Sequence, residues 1–154
     1  MKQLILGLAI SGLAAVCHAQ GLGAERPSAT STTEARTMKI RLTGNGQSMT
    51  ATLIDSPTTR DFAALLPLTL TLEDYASTEK IAYLPRKLSA VGAPAGMTPV
   101  SGDITYYAPW GNLAIFYRGF RYSEGLIRLG SLDGRADLME ARGPWTITIE
   151  ADRK

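Results

Sequence analysis

The feature that most constrains this chain is a two-residue alternation of apolar and polar side chains, repeated in short segments between turn residues. Leu68, Leu70 and Leu72 alternate with Thr69, Thr71 and Glu73, and Trp145, Ile147 and Ile149 alternate with Thr146, Thr148 and Glu150. Successive side chains of a β-strand point to opposite faces, so each such segment has one face to bury and one face for water. Met38 to Thr43 has the same pattern, and Gly44-Asn45-Gly46 follows with residues that accept the positive φ of a tight hairpin turn. Met49, Ala51 and Leu53 then alternate with Thr50 and Thr52. Further strands are expected over Lys80 to Leu84, Asp103 to Ala108, Asn112 to Tyr117 and Leu126 to Leu129.

Two short helices interrupt the strands. Asp55-Ser56-Pro57 supplies a capping side chain and a proline for the first turn, Phe62 and Leu65 share one face, and Pro67 ends the segment. A second short helix is expected after Asp133-Gly134, through Leu138 and Met139, stopped by Gly143. Arg86 to Gly102 contains Gly92, Pro94, Gly96 and Pro99 and little periodicity, so it reads as a long surface loop of the kind that often carries function. Many short strands with dense turns imply a closed antiparallel barrel or a sandwich.

The first twenty residues bear on compartment. Met1-Lys2, the apolar run Leu4 to Val16 and the end Cys17-His18-Ala19-Gln20 have the organisation of a secretory signal peptide cut after Ala19. The run is too short for a comfortable membrane span and no later stretch qualifies, so no span is expected after cleavage. Gln20 to Arg36 is small and polar with almost nothing to bury. The expected organisation is a signal peptide over 1–19, a flexible linker over 20–36 and a folded domain over 37–151, in a bacterial periplasm or secreted.

Cleavage removes the only cysteine, Cys17, and the only histidine, His18. The mature chain then has neither thiol nor imidazole, which excludes cysteine nucleophiles, disulfides, Ser-His-Asp triads and Cys/His zinc sites. No cofactor and no metal are expected. With 154 residues and a net charge of +2, the chain has the size of one soluble domain, and its charge is too balanced to imply nucleic-acid binding.

Several segments resemble the cyclophilins. TATLIDSPTTRDFAALL resembles their second strand and first helix: Pro57, Thr59, Phe62 and Leu65 match, with one residue fewer between Thr59 and Phe62. LIRLGSLDGRADLMEAR resembles their late strand, glycine turn and second helix, with Gly130 and Gly134 in the turn, and TITIEADRK resembles their closing strand. LPLTLTLEDYASTEKIAYLPRKL, GAPAGMTP and GDITYYAPWGNLAIFY are similar to a group of small bacterial cyclophilin-like proteins of unsettled function. The resemblance runs from Met38 to about Ile149. It implies a mostly β fold, a closed antiparallel eight-stranded barrel with two short helices. Prolyl isomerases of this fold carry a Phe-His-Arg strand and a Gln-Gly-Gly-Asp segment; neither is present here, so no catalytic residue transfers. Phe116 alone falls in a strand that corresponds to the one lining their proline pocket.

The candidate binding residues are Arg86, Tyr107, Trp110 and Phe116. Seven of the eleven aromatic residues fall between Tyr106 and Tyr122, enough to line a groove for an extended or proline-containing peptide, with about half of them expected in the core. Trp110 lies in the Pro109-Trp110-Gly111 turn, and Arg86, at the start of the long loop, can donate to a carboxylate or a prolyl nitrogen. Glu73, Asp74 and Glu79 form a small acidic group near Lys80, flanking a turn where exposed charges are ordinary. The expected function is to bind an extended peptide or protein partner without efficient catalysis. The alternatives are a weak prolyl isomerase with a rebuilt site and a scaffold for a small ligand.

Overall fold

The structure, a computed structural model, describes residues 37–152. The expected signal peptide and linker, 1–36, lie outside the described residues. β1 (Met38–Gly44) and β2 (Gln47–Leu53) form the first hairpin. Asn45 and Gly46 turn it with φ of 48° and 71°, the left-handed pair of a two-residue loop. α1 (Pro57–Ala63) starts where the alternation stops: Ser56 Oγ accepts from the Thr59 amide at 3.1 Å, and Pro57 occupies a position that needs no N–H. Phe62 is the aromatic that this helix buries.

β3 (Leu68–Tyr75), β4 (Glu79–Tyr83), β6 (Asp103–Tyr107), β7 (Asn112–Phe116), β9 (Leu126–Leu132) and β10 (Trp145–Ala151) complete the main sheet. It closes into an eight-stranded antiparallel barrel in the order β1-β10-β3-β4-β7-β6-β9-β2. Ile40, Leu42, Leu53, Leu72, Leu113 and Ile115 fill the interior. The polar half of the alternation faces out: between β3 and β10, Thr69 meets Thr148 at 3.0 Å and Thr71 meets Thr146 at 3.1 Å, hydroxyl to hydroxyl. At Gly130 a Cβ would stand 2.2 Å from the Thr52 carbonyl oxygen, so the close approach of β9 to β2 requires glycine.

Three local features refine the expectations. The second short helix is a 3-10 element, Ala136–Glu140. Arg135 precedes it at φ 59°, and Met139 is the only residue it fully buries, too little to repay the nucleation of an α-helix. The segment Arg86 to Gly102 is not loop throughout: Gly96–Met97 (β5) pairs with Ser123–Glu124 (β8) as a separate two-stranded ribbon. Two residues are too short for alternation to register. The strand expected over Leu126 to Leu129 continues to Leu132, through Gly130, a residue type that reads as a turn.

Candidate functional site

The alternation that fills the barrel also builds a cleft on its outside. Along β4 and β7, Ala82, Leu113 and Ile115 point into the main core. Their neighbours Ile81, Ala114 and Phe116 belong to a second cluster on the opposite face, with Leu126, Met97, Tyr107 and Phe120. Above this second cluster lies a cleft of about 380 Å³. Its floor is Glu79, Ile81, Asn112 and Ala114, and the segment Phe120 to Glu124 forms one wall.

Three rings form the other wall. Trp110 stands edge-on to Tyr75 (centroids 5.5 Å apart, planes at 90°) and to Tyr107 (5.4 Å, 79°). Edge-to-face packing directs the positive edge of one ring at the negative face of the next, which fixes Trp110 in place while it stays 45% exposed. The tight turn that follows Tyr75 holds Ala76 and Ser77 at φ of 51° and 56° and returns the chain so that Glu79 lies directly across from Tyr75.

The floor is polar at two points. The Glu79 carboxyl has no hydrogen-bond or ion-pair partner among the described residues although the residue is only 9% exposed, and burial pushes its pKa up to about 7. Asn112 is buried, and its Oδ1 has no donor among the described residues. Arg121 is the only cation among the described residues that line the cleft; its guanidinium lies 5.4 Å from the centre of the Phe120 ring. The cleft thus offers ring surfaces, two acceptors on its floor, and the Arg121 guanidinium and Glu124 carboxylate on its wall. Among the described residues no three metal-ligating side chains come together.

Of the residues singled out from the sequence, Tyr107 and Trp110 line the cleft, and Phe116, 2% exposed, supports it from beneath. Arg86 stands apart from them. It makes a two-pronged bond to Asp61 on α1, at 2.6 and 3.1 Å, and the Ser89 amide donates to the same carboxylate at 2.7 Å. The hydrogen bonds from Arg86, then that from Ser89, hold the Asp61 carboxyl below the usual carboxylate range. Arg86 therefore fastens the long loop to the helix. Of the seven clustered aromatics, Tyr106, Phe116 and Tyr117 are buried, while Tyr107, Trp110, Phe120 and Tyr122 face the cleft.

Tyr75, Glu79, Asn112 and Arg121 were not visible as a group in the sequence. Glu79 reads there as one exposed charge flanking a turn; it is buried. The pointer to it is its phase: it sits two residues before Ile81, on the outward face of a strand whose inward face is the core.

A model of the cyclophilin-like family matches residues 42–150. The chain belongs to the cyclophilin-like family. Among solved structures, it is similar to the solution structure of a hypothetical protein from Archaeoglobus fulgidus, with 14% identity and a TM-score of 0.55. That likeness covers 75% of this chain and 95% of the other, and it bears on fold alone. No curated protein matches the chain in sequence. In this cyclophilin-like domain the cleft lies on the outer surface of the barrel, and Tyr75, Glu79, Ile81, Tyr107, Asn112 and Ala114 line it from strands that pair in the sheet. No described helix is long and apolar enough to cross a membrane.

Proposed function

We propose that this cyclophilin-like domain binds an extended, proline-containing segment of a partner protein in its outer cleft, without efficient catalysis, in the periplasm or outside the cell. The observation that carries this reading is Trp110, half exposed yet held between Tyr75 and Tyr107. A large ring that is fixed in advance and left open to water gives contact area at little entropic cost, and a pyrrolidine ring packs well on such a surface.

The chemistry of isomerisation supports binding over turnover. Rotation about a peptide bond faces a barrier of about 18–20 kcal/mol, and catalysis requires a donor aimed at the prolyl nitrogen. Arg86 is committed to Asp61, and Arg121 rests on Phe120. The export reading rests on the organisation of Met1 to Gln20.

The test has three parts. Capture from the cell envelope followed by mass spectrometry should recover a partner with an extended segment, and the recovered protein should begin at Gln20. Titration with proline-containing peptides should change Trp110 fluorescence, with the buried Trp145 as the unresponsive reference. A protease-coupled isomerisation assay should give the uncatalysed rate. Fast isomerisation that Arg121→Lys abolishes would replace this reading with the enzyme. A mature protein that keeps Met1 would remove the export reading.

A further inference from the structure

The floor of the cleft carries a feature that a proline pocket does not need. Glu79 is a largely buried residue whose carboxyl lines the cleft with no hydrogen-bond or ion-pair partner among the described residues, and a carboxylate so placed is costly unless a cation or hydrogen bonds compensate it. Asn112 sits four residues farther along the floor, across from Tyr83 where Glu79 is across from Phe116, a separation of about 13 Å at strand rise. Its Oδ1 is likewise without a donor among the described residues. Asn112 Oδ1 and the ionised Glu79 carboxylate are both acceptors, so the guest that completes them brings donors.

The rings beside Glu79 narrow the guest further. Tyr75 is its direct cross-strand partner, so the two side chains leave the same face of the sheet side by side. Trp110 leans on Tyr75 and Tyr107. Ring faces carry negative potential and attract cations, most strongly where water is excluded. We propose that the cleft holds the ammonium or guanidinium of a lysine or arginine in the bound segment, against the Glu79 carboxylate and the rings of Tyr75 and Trp110. This deepens the peptide-binding reading and rests on it for the source of the cation.

The charged and titratable groups around Glu79 fit such a guest. β3 presents Tyr75, with Glu73 two residues away across from Ile81; β7 presents Phe116 and Asn112; the wall presents Arg121, Tyr122 and Glu124. Lys80, next in sequence, faces the other way and is bonded to Asp74. Arg121 is the built-in competitor, but it makes no ion pair with Glu79 among the described residues. Because burial holds the empty carboxyl protonated until about pH 7, cation binding expels a proton near neutrality and tightens as pH rises.

The experiment compares three peptides identical except at the residue before proline, which is lysine, norleucine or glutamate, together with butylammonium alone, by calorimetry on the full chain. At about pH 8 the lysine peptide should bind about tenfold tighter than the norleucine peptide, and this ratio should shrink below about pH 6. Glu79→Gln should bring the ratio to about one, whereas general damage to the cleft would weaken both peptides and leave the ratio. Arg121→Ala, at an exposed side chain, should raise the ratio. Equal binding of the lysine and norleucine peptides overturns the cation site and leaves the peptide reading standing. Binding of butylammonium with no peptide bound upholds the cation site and overturns the peptide reading. No binding of any probe overturns both.

Discussion

Lys80 Nζ donates to Asp74 Oδ1 at 2.9 Å from a side chain that is fully buried, and the Gly143 carbonyl oxygen accepts from the same nitrogen at 2.9 Å. Asp74 in turn accepts from the Gly143 amide at 2.9 Å. The β3–β4 hairpin is thereby joined to the segment that leads into β10. The two members of the pair differ in what each loses. Asp74 is 34% exposed and can be hydrated alone, whereas the Lys80 ammonium cannot.

Removing the carboxylate should therefore cost more than removing the ammonium. Asp74→Ala strands a buried charge and should cost about 3–5 kcal/mol. Lys80→Met replaces that charge with a side chain of similar length and should cost about 1–2 kcal/mol or less. Urea denaturation measures both, and a larger loss for Lys80→Met would mean that packing, not charge, holds this corner. The hydrogen bond from Lys80 holds the Asp74 carboxyl below the usual range. Its contribution is present above the unfolded value of 3.8 and fades as pH falls through the lower folded one.

Glu79 titrates in the opposite sense. Its folded pKa lies above its unfolded one, so the folded state holds the proton longer. Below about pH 4.5 both states are protonated and the residue contributes nothing. Between there and about pH 7 the unfolded chain ionises first, and stability is progressively lost. Glu79→Gln should consequently raise stability by about 1–3 kcal/mol at about pH 8 and leave it nearly unchanged at about pH 4. Thermal melts of both proteins at the two pH values provide the check; equal gains at both would remove the titration as the cause.

The turn between Tyr75 and Glu79 holds two non-glycine residues in the left-handed region, Ala76 and Ser77. The β1–β2 hairpin makes its own left-handed pair with Asn45 and Gly46. Ala76→Asn with Ser77→Gly gives the second turn the chemistry of the first and should stabilise the domain by about 0.5–2 kcal/mol. A loss of stability would show that the two side chains contribute more than the backbone strain costs.

Ile147 reports on closure of the barrel. It is buried, and β10 pairs with β1 on one side and β3 on the other. Ile147→Ala should cost about 2–5 kcal/mol by chemical denaturation. A change under about 0.5 kcal/mol would place β10 outside the core.

What the sequence made legible was the part governed by period. Leu68, Leu70 and Leu72, and likewise Trp145, Ile147 and Ile149, carry their facing in their spacing, and the capping residues Ser56 and Pro57 mark α1. The cleft was legible only in fragments. Tyr107 and Trp110 stand out as aromatics in a cluster, but nothing local in Tyr75 or Arg121 brings them beside Asn112, because the β3–β4–β7 pairing and the fold of the Phe120 to Glu124 segment do so. Arg86 has the right chemistry for a ligand and a neighbour, Asp61, that takes it; that contact joins residues far apart in sequence. Leu138 and Met139, adjacent apolar residues, mark the second short helix but are too few to separate a 3-10 turn from an α-helix.

Because β4 and β7 carry the core on one side and the cleft on the other, the same strands present two sets of positions, one facing each way. Under the proposed function, exchange of Tyr75, Glu79, Asn112 or Arg121 would change what the cleft accepts, while Ala82, Leu113 and Ile115 continue to fill the barrel core. A combinatorial library randomised at Tyr75 and Arg121, the two exposed positions among the four, should yield mostly folded members.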